Sequence, residues 1–191
     1  MVGNRKGFIS LAKQENKEIV TTHCFLHREA LISKTLPSEL KEVLDEVVRM
    51  INFVKTRHRV TQILSNLCQE MDSDYLTLLS HTDVRWLSRG KSLERVYKLK
   101  DELVQCFAKE GKANFVELLK NKKWSAKLAY LVDIFGHLNK TNVAMQGKKE
   151  NLLSSHDKIK ALSEKIEAWG KRIVVGRFEM FLFFVRKKDL N

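Results

Sequence analysis

The sequence predicts a mainly α protein, with a partial α/β remnant at the N-terminus followed by an all-helical region. Three observations predict it. Among 191 residues there are only 8 glycines and a single proline, Pro37, so chain breakers are scarce. Apolar residues recur at i, i+3, i+4 and i+7 along most of the chain, the spacing that gathers them on one side of a helix. One short segment, Glu18 to Thr22, is rich in β-branched residues and has strand length.

Residues 1–16 carry Phe8, Ile9 and Leu11 on a short amphipathic helix. The Glu18 to Thr22 strand follows, then a helix over Cys24 to Lys34. A lone strand between helices reads as the tail of an α/β unit whose other strands lie upstream of Met1, which predicts a fragment of a longer protein. Pro37 suits a first helical position. Behind it Leu40, Val43, Leu44, Val47, Ile51 and Val54 form a strict helical stripe. A second stripe, Val60, Ile63, Leu64, Leu67, Cys68 and Met71, would lie nearly opposite the first on a continuous helix. Either the helix breaks between Lys55 and Arg59, or its halves pack on different neighbours. Asp72 to Ser80 reads as a short helix. The next helix starts near Ser88, gathers Leu93, Val96, Tyr97, Val104 and Phe107 on one side, and ends at Gly111 as a C-terminal cap. Lys100 falls inside that apolar arc. A short helix over residues 112–121 precedes a longer one marked by Trp124, Leu128, Leu131, Phe135 and Leu138 and ending at Gly147. Ile159, Leu162, Ile166 and Trp169 repeat with 3.5-residue spacing, the pattern of a helix laid on another helix, before Gly170 and Gly176 interrupt. Arg177 to Asn191 is apolar, then basic, with no closing element.

Charge bounds the function. With 35 Lys and Arg against 23 Asp and Glu, the formal charge is +12, and the summed field attracts polyanions. Nucleic acid is the leading partner, and an anionic membrane surface the second. The longest apolar run, Met180 to Val185, is far short of the ~20 residues of a spanning helix, so a soluble chain is expected. Three cysteines, Cys24, Cys68 and Cys106, stand far apart, and a reduced, intracellular setting is expected rather than a disulfide framework.

The richest stretch is HTDVRWLSRGKSLERVYKLK, residues 81–100. Lys91, Arg95 and Lys98, at i, i+4 and i+7, form a stripe of like charge that something anionic would stabilise. Ahead of the helix, Arg85 and Trp86 are expected in a loop, placing an indole beside cations, an arrangement that holds unpaired bases by stacking and cation–π contact. The same residues fit a core anchor with a solvated neighbour, which is the commoner use of such a pair. SRGKS lacks the glycine spacing and the preceding strand of a phosphate-binding loop, so no nucleotide site is expected there. Cys24 and His27 have the spacing of half a zinc site, but no second pair stands at a matching distance. A buried Cys and His at a strand-to-helix corner is the expectation, with no metal and no cofactor.

Four segments then assemble into a pattern. THCFLHREALISK (22–34), LPSELKEVLDEVVRMINFVK (36–55), HTDVRWLSRGKSLERVYKLKDEL (81–103) and LAYLVDIFGHLNKTNVAMQGK (128–148) resemble successive blocks of the hAT-superfamily transposases. The closest likeness is to the domesticated vertebrate versions in BED-type zinc-finger, SCAN-domain and general transcription factor II-I repeat proteins. The resemblance implies an RNase H-like catalytic core interrupted by a long helical insertion, with three acidic residues binding two divalent metals for strand transfer. Residues 1–35 then correspond to a remnant of that core, and 36–191 to the helical insertion. The three acids would lie upstream of Met1 and beyond Asn191, so no enzyme activity is expected of this chain. Cys24 and His27 match a structural CxxH element of the family. Arg85 and Trp86 match its RW element, whose tryptophan stacks on a flipped base. Trp86 thereby becomes the expected DNA contact, with Arg85, Arg89, Lys91, Arg95 and Lys98 as phosphate partners. The expectation is a nuclear, catalytically inactive, transposase-derived protein that binds DNA. Its rivals are a helical module for protein partners or self-association, and a transposon remnant without function. No membrane and no small-molecule substrate is expected.

Overall fold

The computed structural model describes residues 8–18, 36–79, 86–146 and 151–188, leaving aside the side chains of residues 9, 86–89, 152 and 186–188. It divides into two compact units, Met1–Thr35 and Leu36–Asn191. In the first, Phe8–Glu15 forms helix α1, as the apolar spacing of its residues requires. The expected strand at Glu18 to Thr22 falls outside the described residues except for Glu18, which lies in a turn where its amide donates to Asn16 Oδ1 at 2.9 Å. The expected helix over Cys24 to Lys34 lies outside them altogether. The described residues are mainly helical and contain no strand, so an RNase H-like α/β remnant is not supported by them. Physically, a strand is held by a ladder to a neighbour, and none of the described segments offers one.

The second unit starts with α2 (Ser38–Lys55), which buries Val43, Leu44, Val47, Met50, Ile51 and Val54. Pro37 stands one position outside it with ψ 144°, its carbonyl accepting from the Leu40 and Lys41 amides at 3.0 Å. Of the two alternatives for residues 55–59, the structure has the break, at Thr56 and Arg57, where Arg57 turns extended (φ −125°, ψ 107°) before α3 (His58–Glu70). Each half therefore aims its own stripe inward: Val60, Leu64, Leu67 and Cys68 are buried, while Met71 is left exposed.

No helix covers the described part of Asp72 to Ser80. Asp72 adopts a positive φ of 50°, the Ser73 amide donates to Cys68 O at 2.9 Å, and the Asp72 amide to Gln69 O at 3.2 Å. That pair of bonds closes α3 and sends residues 73–79 away as a loop. Helix α4 (Trp86–Lys98) begins two residues earlier than expected, which puts Trp86 at the head of a helix rather than in a loop. It does not run on to Gly111. Leu99, buried at φ −93° and ψ 25°, separates it from α5 (Lys100–Lys109), because α4 packs on the long helix α7 (Lys122–Ala144) whereas α5 packs on α3 and on α6 (Ala113–Lys120). The kink leaves Lys100 half-buried at the start of α5. Gly111, at φ 66°, closes α5 as predicted.

Helix α7 is the axis of the unit, with α2, α4, α6 and α9 (Leu182–Lys188) packed against it. Trp124, Leu128, Leu131, Phe135 and Leu138 are all buried along it, the stripe the spacing predicts. Helix α8 (Leu152–Val174) opens on a capping box at Asn151 and Ser154, and lays Leu162 and Trp169 onto α7. Gly170 does not interrupt it: with no positive φ the helix continues for another turn, and Gly176, at φ 76°, ends it. The C-terminal stretch does carry a closing element, α9, held by a carboxylate from another helix. Asp133 of α7 accepts the Phe183 amide at 3.2 Å and the Phe184 amide at 3.0 Å. Burial pushes the Asp133 carboxyl above its usual range, and these amides pull it back down.

Two of the three cysteines are described, Cys68 and Cys106. Both are buried thiols, pushed up to about 11, first by burial, and they serve as core. Among the described residues no helix is long and apolar enough to cross a membrane.

Candidate nucleic-acid interface

The predicted basic stripe sits on α4, and α7 fixes its position. Gly90 is buried where the two helices cross. A Cβ at that position would run into the Asn139 amide and meet Phe135 Cβ at 3.3 Å. The glycine of SRGKS thus permits a close helix crossing, a physical use unrelated to phosphate binding. Leu93 and Val96 bury on the same side, which turns Lys91 outward as an exposed side chain.

From there the three cations part company. Lys91 borders a cleft of about 320 Å³ between α4, α7 and the segment leading into α9; Lys140, His137 and Asn139 also line it. His137 Nε2 donates to the Met180 carbonyl (3.1 Å), and the ring packs on the Trp169 ring at 4.4 Å. Burial holds its imidazole below the ordinary range, the Met180 contact pulling the other way.

Arg95 instead reaches the loop after α3. Its Nη1 donates to Thr77 O at 2.8 Å, and its guanidinium lies 3.6 Å from the centre of the Tyr75 ring. Lys98 joins the same ring, donating to the Tyr75 hydroxyl at 3.2 Å and pairing with Glu94 at 3.0 Å. Its ammonium is held above the usual lysine range by the hydrogen bond to Glu94, then by that to Tyr75. A third cation arrives from α2: Lys55 Nζ donates to Thr77 Oγ1 at 3.2 Å. Burial lowers its affinity for a proton, and the Arg95 charge lowers it further.

Of the remaining predicted residues, Trp86 and Arg89 contribute their backbone to α4, and their side chains lie outside the description; so do all of Arg85, Cys24 and His27. The arrangement therefore brings Arg95 and Lys98 together on Tyr75 and sets Lys91 apart on the cleft. Sequence reasoning missed Lys55, Tyr75 and Lys140. Lys55 lies forty positions from Arg95, and no periodicity within one helix could pair them. Among the described residues no group of three or more His, Cys, Asp or Glu side chains is placed to hold a metal ion.

The family model for the FAM200/GTF2IRD2 helical domain matches residues 23–174. The chain belongs to that family. The FAM200/GTF2IRD2 helical domain thus takes in α2 to α8 and the whole basic stretch before and along α4. Membership fits a transposase-derived, helical protein. No solved structure matches the chain.

Proposed function

We propose that this FAM200/GTF2IRD2-type chain is a nuclear DNA-binding protein of hAT-transposase descent that holds DNA without cutting it. The observation that carries the reading is the exposed Lys91, set on a rigid helix crossing and flanked across a cleft by Lys140, in a chain of formal charge +12. Lysines on rigid elements present fixed positive charge to backbone phosphates at low ordering cost. About one and two turns further on, Arg95 and Lys98 extend the positive potential while bracing the loop over residues 73–79. Trp86 heads the same helix, so a base stacked on it would lie at the N-terminal end of the row of phosphate contacts. The part without catalysis concerns residues 1–191 alone, to which the hAT resemblance assigns none of that family's three metal-binding acids.

Gel shifts over a salt series test the reading. Affinity for duplex DNA should fall by orders of magnitude between about 50 and 200 mM salt if some six phosphates are neutralised. Lys91→Ala should weaken duplex and single-stranded ends alike and lower the salt slope by about one unit. Trp86→Ala should weaken the single-stranded or flipped end more than plain duplex. A salt-independent shift, or none, ends the DNA reading; nicking of supercoiled plasmid in magnesium or manganese ends its non-catalytic part.

One observation favours a second reading, a helical module for self-association. On α8 the 3.5-residue stripe is only half covered: Leu162 and Trp169 are buried, whereas Ile166 is 49 % exposed beside an apolar groove of about 200 Å³. A stable oligomer by light scattering that ignores DNA in the gel shift would favour it.

A further inference from the structure

The loop over residues 73–79 is gripped by cations from two helices that meet at one residue, Thr77. Lys55 of α2 donates to the Thr77 hydroxyl at 3.2 Å, and Arg95 of α4 donates to the carbonyl of the same residue at 2.8 Å. Two positive charges thus converge on a residue with no charge of its own. Part-burial of Lys55 makes their proximity costlier, and its ammonium gives up its proton more readily because of that burial and because of Arg95. Two carboxylates on the helices around the loop are engaged elsewhere: Glu94 pairs with Lys98, and Glu102 accepts from Ser73 Oγ. Thr77 is half-buried in a non-helical segment between the exposed Leu76 and the buried Leu78, so its hydroxyl stands at the margin of solvent on a stretch free of helical hydrogen bonds. One cation on this neutral hydroxyl and a second on the carbonyl of the same residue are placed to receive the anion that the hydroxyl can become.

We propose that Thr77 is a phosphorylation site, and that Lys55 and Arg95 form the receiving site for its phosphate. A protein kinase supplies the reaction with ATP. The Thr77 oxygen forms a bond to the γ-phosphorus, the bond from that phosphorus to the bridging oxygen breaks, ADP leaves with the electron pair, and the hydroxyl proton passes to the kinase's base. The product carries a charge of about −1.5 to −2 and three acceptor oxygens, matched to an ammonium and a guanidinium already in place. It ties α2, α4 and the loop together, and cancels most of the positive charge at this end of the basic stretch. That second consequence rests on the DNA-binding reading above: phosphorylation would lower affinity for DNA and so act as an off-switch.

The test uses the full chain with phosphothreonine installed at position 77, the same chain carrying Lys55→Met, and a Thr77→Val chain that cannot be modified. Phosphorus NMR of the first should place the second ionisation of the phosphate about one unit below its ordinary value near 6, because neighbouring cations favour the dianion. In the Lys55→Met background the midpoint should move back up, with circular dichroism checking that the chain is folded. A midpoint at or above ~6, or one that ignores Lys55→Met in a folded chain, overturns the receiving site. Incubation of the unmodified chain with nuclear extract and ATP should give a Thr77 phosphopeptide by mass spectrometry that the Thr77→Val chain lacks; its absence overturns the modification. In gel shifts the phosphorylated chain should bind duplex about tenfold more weakly than the unmodified one. Should neither form bind DNA, the off-switch falls with the DNA reading, while the phosphorus titration still decides the site.

Discussion

Asp72 and Gly111 occupy equivalent places, each just past a helix end with a positive φ, 50° and 66° respectively. The following amide reaches back in both: Ser73 to Cys68 O and Lys112 to Phe107 O, each at 2.9 Å. Glycine takes this conformation without strain, whereas an aspartate pays for its Cβ and is tolerated because its short polar side chain can bond locally. Asp72→Gly should therefore leave stability unchanged or raise it by up to ~1 kcal/mol, and Gly111→Ala should lower it by ~1 kcal/mol, both read as urea midpoints at constant slope. If the aspartate change costs as much as the alanine change, the two caps are not equivalent. A second residue sets the acid response. His137 has Asp133 on its own helix, Lys140 one turn on, and Lys165 reaching in from α8. Its folded pKa is lowered, so the unfolded chain binds more protons, and the sign follows: its contribution is complete above the unfolded value of ~6.5 and is lost as pH falls from there through the folded value. His137→Phe should flatten the fall in urea midpoint between about pH 7 and 5. An unchanged slope over that window would show that other groups govern it.

At the scale of elements, position rather than propensity decides which segments become helices. Helix α9 is 7 residues long, too short to persist alone, and its first amides are satisfied by a carboxylate about fifty positions earlier in the chain. The edge of Phe183 against Tyr97, at 5.2 Å between centroids, adds a packing contact to α4. Asp133→Ala removes a buried, two-bond acceptor and strands two amides, which should cost ~1–3 kcal/mol. Hydrogen exchange locates the effect: protection of the Phe183 and Phe184 amides should drop with little change in α2. Retained protection at both would mean that packing alone holds α9. The break at Leu99 follows the same logic, since α4 and α5 serve different neighbours and a straight helix could satisfy only one. The stripes on α2, α3 and α7 needed no such arbitration. Their apolar residues recur at helical spacing over several turns, and each stripe packed inward except Met71, which falls just past the end of α3 and is exposed.

For the molecule as a whole, a formal charge of +12 acts on stability and on binding in opposite directions. Like charges repel most in the compact state, so salt that screens them should raise the melting temperature by a few degrees between about 50 and 300 mM. The same salt should weaken a complex with DNA, whose formation releases counterions. Parallel melting curves and gel shifts across one salt series check both. A melting temperature that falls with salt would mean that paired charges outweigh the net repulsion, which an exposed pair such as Lys127 with Glu39 is too weak to bring about.

Sequence alone determined that the chain is mainly helical, where α2, α3 and α7 lie, and that a cationic row runs along α4; it offered the break between α2 and α3 as one of two alternatives. All of these depend on residues within a few turns of one another, where the geometry of the helix does the bookkeeping. Tertiary structure decided how that row is divided. Lys91 faces a cleft shared with Lys140, and Arg95 turns back to Tyr75 and Thr77 beside a lysine from α2. Coulomb's law and packing act through space, and the distance between Lys55 and Arg95 exists only once α2 and α4 have found their places in the folded unit.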